Sequence, residues 1–158
     1  MRALLAASCL TLVVACSGGS SSTGPTALDT ADYKGRWLVV NYWAEWCKPC
    51  IKEIPELNAL DAKYPQVAVL GVNFDGITGT ELEAQKEKLG ISFTVLEQDP
   101  SGVLGVVIPS VLPATFILNP DGQLVHSLVG PQTLESLALA TGQVGIVDQE
   151  TSSDLDPQ

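Results

Sequence analysis

A Cys-x-x-Cys pair between two different kinds of segment constrains this chain more than any other feature. Residues 36–43, before the pair, form a short apolar run rich in valine and aromatic residues, which predicts a buried central strand. Residues 48–64, after it, carry apolar residues at helical spacing, which predicts an amphipathic helix kinked at Pro55. Cys47 and Cys50 are therefore expected on the turn that opens a helix.

That position predicts different roles for the two cysteines. Partial positive charge and free N–H groups at a helix N-terminus stabilise a thiolate on Cys47, and Lys48 adds a positive charge beside it. Pro49 suits the first helical turn, because its φ is fixed and its missing N–H would have no partner there. We therefore expect Cys47 to be the nucleophile and Cys50 the resolving thiol of a redox-active disulfide.

Two other interpretations of the pair are weaker. Half a zinc site needs two more ligands, and beyond the N-terminal segment the sequence adds only the distant His126. A purely structural disulfide across so short a loop would constrain little of the unfolded chain. We therefore expect no metal and no cofactor besides the Cys47–Cys50 disulfide. His126 lies on a predicted hairpin strand, and we expect it at the surface or the sheet edge.

The residues around the cysteines carry a family resemblance. Trp-Ala-Glu-Trp-Cys-Lys-Pro-Cys (residues 43–50) resembles the active site of the thioredoxin superfamily. Asn41 before it and Lys-Glu-Ile-Pro (residues 52–55) after it are similar to the periplasmic disulfide reductases of the TlpA/ResA type. The resemblance runs from about residue 33 to about residue 141. It implies a thioredoxin fold, an α/β domain with a mixed central sheet flanked by helices on both faces.

The order of predicted elements agrees with that fold. A second apolar strand covers residues 67–74, and a helix over residues 80–89 has Thr80 as its N-cap and ends at Gly90. A loose apolar segment follows the turn at residues 99–102. The remaining elements are strands at 93–96 and 114–118, a hairpin turn at 119–122 with its partner strand at 123–129, and a closing helix at 132–141.

The resemblance also implies roles for residues near the third main strand. In the superfamily a cis-proline precedes that strand and packs against the Cys-x-x-Cys turn, and Pro113 stands at the matching place. A trans Pro113 that ends a loop is the alternative, and Pro109 is a second, less well placed candidate. Leu112 would offer main-chain groups to an extended substrate peptide. Pro113 and Leu112 are therefore predicted to bind substrate.

The residues beside Cys47 complete the predicted substrate-binding surface. Trp46 would supply apolar area next to the reacting sulfur, with Lys48 and Pro49 on its other side. Trp43, the last residue of the predicted strand, would also supply apolar surface to the site, but a role in the core is the better prediction for it.

Glu53 is a candidate for a buried acid in the site. It lies one turn beyond Cys50, where a carboxylate could take the Cys50 proton as that thiol attacks. Thioredoxin carries an aspartate where this chain has Asn41, and Glu53 resembles the TlpA/ResA substitute. The alternative is a solvated helix glutamate beside Lys52, and the sequence leaves both interpretations open.

The two ends of the chain do not resemble a globular domain. Residues 1–15 resemble a secretory signal, and Val-Val-Ala-Cys ending at Cys16 resembles a bacterial lipobox. Acyl chains on Cys16 would hold the mature protein on a membrane, whereas an ordinary signal peptide would leave Cys16 free. We expect a lipidated Cys16 and flexible tether over residues 16–32, a thioredoxin-like domain over 33–142 and an acidic disordered tail over 143–158.

Charge narrows the choice of partner. The net charge is −10, from 18 acidic and 8 basic residues, and no basic stripe is interleaved with aromatics, so nucleic acid is excluded as a partner.

We expect a thiol–disulfide oxidoreductase, lipid-anchored in the bacterial cell envelope and facing the periplasm or extracytoplasmic space. Its partners would be proteins with disulfides and a membrane electron donor that re-reduces the dithiol.

Three competing functions fit less well. A cytochrome c maturation thioredoxin usually has an acidic residue directly after the cis-proline and a Gly-rich approach to it, and Ala114 and residues 108–111 depart from both. A redox-inactive binding lipoprotein would not need Cys47 and Cys50 intact. A peroxiredoxin would need an isolated peroxidatic cysteine in a Thr-rich motif, which this sequence lacks. A disulfide reductase therefore remains the leading prediction.

Overall fold

A mixed β-sheet forms the centre of the domain, and a computed structural model describes residues 28–143 of the chain. Within these residues five strands follow the spatial order β3-β2-β1-β4-β5. The first three run parallel, and β4 and β5 are antiparallel to their neighbours. The strands are β1 (Trp37–Trp43), β2 (Val67–Asn73), β3 (Thr94–Leu96), β4 (Ala114–Leu118) and β5 (Leu124–Val129).

Helices cover both faces of the sheet. They are a 3-10 helix (Thr30–Tyr33), α1 (Lys48–Lys63), α2 (Gly79–Leu89), α3 (Ser101–Leu104) and α4 (Leu134–Ala140). The apolar residues of α1, α2 and α4 pack on one face around Val39 and Trp43 of β1. Tyr33 of the 3-10 helix and Leu104 of α3 pack on the other face. This architecture confirms the predicted fold class.

Several predicted boundaries were wrong by one or two residues. The N-cap of α2 is Thr78 and not Thr80, and α4 begins at Leu134, after Thr133. Thr133 caps α4 through a capping box. The Thr133 hydroxyl accepts the Ser136 N–H, and the Ser136 hydroxyl accepts the Thr133 N–H. The short helix α3 covers the second half of the predicted turn and the first two residues of the loose segment, and residues 105–113 form neither helix nor strand, as predicted. The helix α1 includes Pro55, as the predicted range 48–64 implies.

The start of the folded domain also differs from the prediction. Leu28 is buried in the core beside β1, and Asp29 caps the 3-10 helix by accepting the Ala31 N–H. The predicted tether over residues 16–32 is therefore wrong for its last residues, since residues 28–32 belong to the domain. Cys16, the signal segment and nearly all of the acidic tail lie outside the described residues. No helix between Leu28 and Gln143 is both long and apolar enough to cross a membrane.

Candidate active site

The cysteine pair lies where β1 meets α1. Cys47 is the N-cap of α1 and forms a disulfide with Cys50, with their Cα atoms 5.3 Å apart. The Cys50 backbone N–H donates to the Cys47 Sγ at 3.3 Å. Cys47 and Cys50 are 4% and 1% exposed, which leaves the first of them the more accessible. A thiolate at Cys47 would therefore meet the N–H groups and positive end of the helix, as the sequence predicts.

The surface around Cys47 is formed by Trp46, the first turn of α1 and the loop after β2. Lys48 and Pro49 are exposed on the first turn of α1, and Trp46 is 63% exposed just before it. The loop after β2 adds Phe74 and Asp75, which both contact Trp46. Trp43 is fully buried in the core, as predicted.

The sequence analysis missed Phe74 and Asp75. Their place in the site follows from the parallel pairing of β1 and β2. Because β1 and β2 are parallel, with Trp43 paired to Asn73, the residues that follow both strands emerge at the same sheet edge. Two consecutive buried strands of this kind therefore predict that residues 74–75 approach the cysteine turn.

Pro113 lies at the same end of the sheet. The Leu112–Pro113 peptide bond is cis, and Pro113 is buried. The next residue, Ala114, pairs with Tyr42 of β1, so Pro113 falls level with the end of the strand that leads to Cys47. Leu112 is half-buried and packs against both faces of the core. The structure thus brings Pro113 and the cysteine turn to one edge, and the role of Leu112 in binding peptide stays a prediction.

Glu53 is buried, so the alternative of a solvated helix glutamate is wrong. The residue is 2% exposed, and its carboxylate accepts two hydrogen bonds, from Asn41 Nδ2 at 2.7 Å and from the Gln132 backbone N–H at 2.9 Å. Burial raises the pKa of Glu53, and the two hydrogen bonds oppose that rise. Cys50 lies three residues earlier on α1 and is also buried, so the two side chains share one helix face.

Asn41 links Glu53 to the strand that follows Pro113. Its Nδ2 also donates to Thr115 Oγ1 at 3.0 Å, and Asn41 pairs with Thr115 in the β1–β4 register. A buried polar network therefore joins α1, β1 and β4 behind the disulfide. Thr115 and Gln132 were not predicted from sequence, because neither belongs to a recognisable motif.

His126 and a metal site are the two remaining features that the sequence analysis considered. His126 is exposed on β5, as predicted. Among residues 28–143, no group of three or more His, Cys, Asp or Glu side chains lies close enough together to hold a metal ion.

A thioredoxin fold that carries a Cys-x-x-Cys disulfide at a helix N-terminus, with a cis-proline at the same sheet edge, defines the class of thioredoxin-like proteins. More particularly, the chain belongs to the AhpC/TSA family, whose model matches residues 20–127. The matched range contains both cysteines, Glu53 and Pro113.

Curated relatives agree with this assignment. The chain is 31% identical over 112 residues to the thiol-disulfide oxidoreductase ResA of Bacillus anthracis. This alignment covers 70% of this chain and 64% of that protein. Against ResA of Bacillus subtilis (strain 168) it is 30% identical over 113 residues, covering 70% of this chain and 63% of that protein. The chain therefore spans less than two thirds of the length of these relatives.

Solved structures show the same fold. A putative thiol:disulfide interchange protein DsbE from Chlorobium tepidum superposes with a TM-score of 0.58 at 26% identity, covering 77% of this chain and 94% of that one. StoA from Bacillus subtilis superposes with a TM-score of 0.54 at 25% identity, covering 66% and 81%. These comparisons confirm the thioredoxin fold and the resemblance to ResA-type proteins.

Proposed function

We propose that this protein is a thiol–disulfide oxidoreductase that reduces disulfides of extracytoplasmic proteins. The observation that carries the proposal is the position of Cys47, which caps α1 and accepts the N–H of its disulfide partner Cys50. This arrangement favours a thiolate on Cys47, and the buried Cys50 stays a protonated thiol until it attacks the mixed disulfide. The similarity to proteins named thiol-disulfide oxidoreductase supports the same activity.

The reaction begins with the reduced dithiol. Cys47 thiolate attacks one sulfur of the substrate disulfide, forms a mixed disulfide and releases the other substrate sulfur as a thiolate. Cys50 then loses its proton and attacks the Cys47 sulfur. The Cys47–Cys50 disulfide forms, the bond to the substrate breaks and the second substrate thiolate leaves. Two electrons pass from the dithiol to the substrate, and no redox group besides the two cysteines is needed.

Glu53 is the acceptor we propose for the Cys50 proton. It is buried on the same helix face as Cys50, and burial raises the pKa of its carboxyl group. A raised pKa brings a carboxylate closer to neutral pH, where a general base exchanges protons most effectively. Asn41 and the Gln132 N–H hold the carboxylate in place between turnovers.

Substrate would approach over the exposed surface around Cys47. Trp46, Lys48 and Pro49 provide that surface, and the main chain at Leu112 and Pro113 would pair with an extended peptide. The half-buried Leu112 is preceded by the exposed Val111, which extends the apolar area on this side.

The oxidised protein must be re-reduced, and we propose a membrane-bound thiol donor for that step. The support is the lipobox-like sequence at Cys16, which would keep the domain at a membrane surface of the cell envelope. At that surface a membrane donor meets the Cys47–Cys50 disulfide at high local concentration. The disulfide itself serves as the redox group, without another cofactor.

Insulin reduction tests the activity. The wild-type protein with a chemical reductant should accelerate precipitation of the insulin B chain, and Cys47→Ser should not. A Cys50→Ser variant should trap substrates as stable mixed disulfides, because attack proceeds but release does not. A wild-type protein without activity would instead favour a redox-inactive binding protein. Trapping by Cys47→Ser, with none by Cys50→Ser, would reverse the roles of the two thiols.

The reduction potential of the Cys47–Cys50 pair tests the direction of electron flow. A reductant is expected near the potential of thioredoxin, and an oxidant more than ~100 mV higher. Equilibration with glutathione or dithiothreitol buffers measures it, and a strongly oxidising value would contradict the proposed reductase.

A further inference from the structure

Trp46 is exposed, yet two contacts hold its indole ring in one orientation. Its Nε1–H donates to Asp75 Oδ2 at 2.9 Å. Its ring also meets the Phe74 ring edge to face, with centroids 6.4 Å apart and an interplanar angle of 85°. Phe74 is itself partly exposed, so the two rings form one continuous aromatic surface. Neither ring belongs to the two clusters of buried residues that form the core.

The loop that carries Phe74 and Asp75 is itself fixed. The buried Asn73 accepts the backbone N–H groups of Asp75 and Ile77 on its Oδ1, at 3.0 and 3.3 Å. Its Nδ2 donates to Gln85 Oε1 on α2 at 3.0 Å. The Phe74 N–H donates to the carbonyl oxygen of Trp43 on β1 at 2.8 Å. Hydrogen bonds that lead back to β1 and α2 therefore hold the backbone at Asp75 in place beside the indole.

We propose that Asp75 is a positioning residue, which holds Trp46 against Phe74 as a preformed docking surface for an apolar side chain beside the reacting cystine of a protein substrate. Trp46 directly precedes Cys47, so a side chain packed on the indole lies next to the sulfur under attack. Tryptophan is enriched among residues that dominate binding energy at interfaces. An indole already fixed before binding avoids the free energy of ordering it. This inference rests on the proposed disulfide reduction.

Two cyclic disulfide peptides, which differ only in having Phe or Ser next to one cysteine, test the inference. The wild-type protein should show a lower KM for the Phe peptide. Asp75→Ala should raise that KM by about two- to tenfold, the range expected for ordering one side chain on binding. It should leave kcat, and the rate with oxidised glutathione, unchanged. Asp75→Asn keeps an acceptor oxygen for the indole and should stay within about twofold of wild type.

The indole N–H signal of Trp46 provides a readout that does not depend on activity. It is assigned by its loss in Trp46→Phe. In Asp75→Ala we expect faster exchange of this proton with solvent and greater mobility of the ring, and in Asp75→Asn a signal like that of wild type. Asp121→Ala is the matched control, because it removes an exposed carboxylate from the hairpin turn at the opposite end of β1.

The possible outcomes separate the two proposals. If the wild-type protein reduces both peptides with equal KM, the docking surface is wrong and the reductase proposal stands. If Asp75→Ala slows the peptides and oxidised glutathione alike, Asp75 acts on the chemistry and not through Trp46. If Asp75→Asn behaves like Asp75→Ala, the hydrogen bond to the indole is not the cause. A wild-type protein that reduces no disulfide at all overturns the proposed function, and the docking role with it.

Discussion

Glu53→Gln isolates the contribution of one buried carboxylate with little change in shape. Both oxygens of Glu53 accept an N–H, one from Asn41 and one from Gln132. Glutamine has a single carbonyl oxygen, so its NH2 group must face one of these donors. The substitution therefore leaves one buried N–H group without an acceptor.

The expected loss of stability depends on pH. A buried unpaired N–H costs about 1–3 kcal/mol. A second contribution depends on pH, because burial raises the pKa of Glu53 in the folded wild-type protein. Stability linked to this carboxyl group is then fully present below its unfolded-state pKa of about 4.3 and is lost as pH rises through the raised folded-state pKa. Glutamine does not titrate. The variant should therefore be least stable relative to wild type at acidic pH, and the difference should shrink as pH rises.

Thermal unfolding of the oxidised proteins, followed by circular dichroism from about pH 4 to about pH 8, measures this difference. At about 4 °C per kcal/mol for a domain of this size, Tm of the variant should lie about 4–12 °C below wild type at the acidic end. The exposed Glu87→Gln is the matched control and should follow wild type throughout. A difference in Tm that widens as pH rises would show that the ionised carboxylate is favoured by folding, and would refute the reasoning.

Two further predictions concern the packing under the site and the N-terminal segment. Gly71→Ala should destabilise the domain by about 1–3 kcal/mol in urea unfolding, because its Cβ would lie 2.8 Å from Phe93 Cε2 and 3.0 Å from Trp43 Nε1; unchanged stability would mean that these rings can move apart. Cys16→Ser should move the protein from the membrane to the soluble fraction after cell fractionation, and a variant that stays membrane-bound to the same extent would contradict lipidation.

Local sequence patterns predicted most of the strands and helices correctly, with errors concentrated at helix ends. Gly90 ends α2 in a left-handed conformation, as a glycine after a helical pattern predicts. The pattern predicts Thr80 as the α2 N-cap because its hydroxyl is a group that N-caps prefer, and Thr78 provides the same hydroxyl two residues earlier. The Thr78 hydroxyl accepts no capping hydrogen bond, so no local signal distinguishes the two threonines.

The sequence by itself determined the position of Cys47 and Cys50, because a strand, a turn and a helix N-terminus are all specified within a few neighbouring residues. Only the tertiary structure decided what surrounds them. Trp46 meets Asp75 across 29 positions of sequence, and Glu53 meets the Gln132 N–H across 79. Such pairs form because the parallel β1 and β2 end at one sheet edge and α4 packs against α1. Burial of Glu53 follows from that packing, since a helix glutamate is ordinarily solvated unless neighbouring elements cover it and supply its hydrogen bonds.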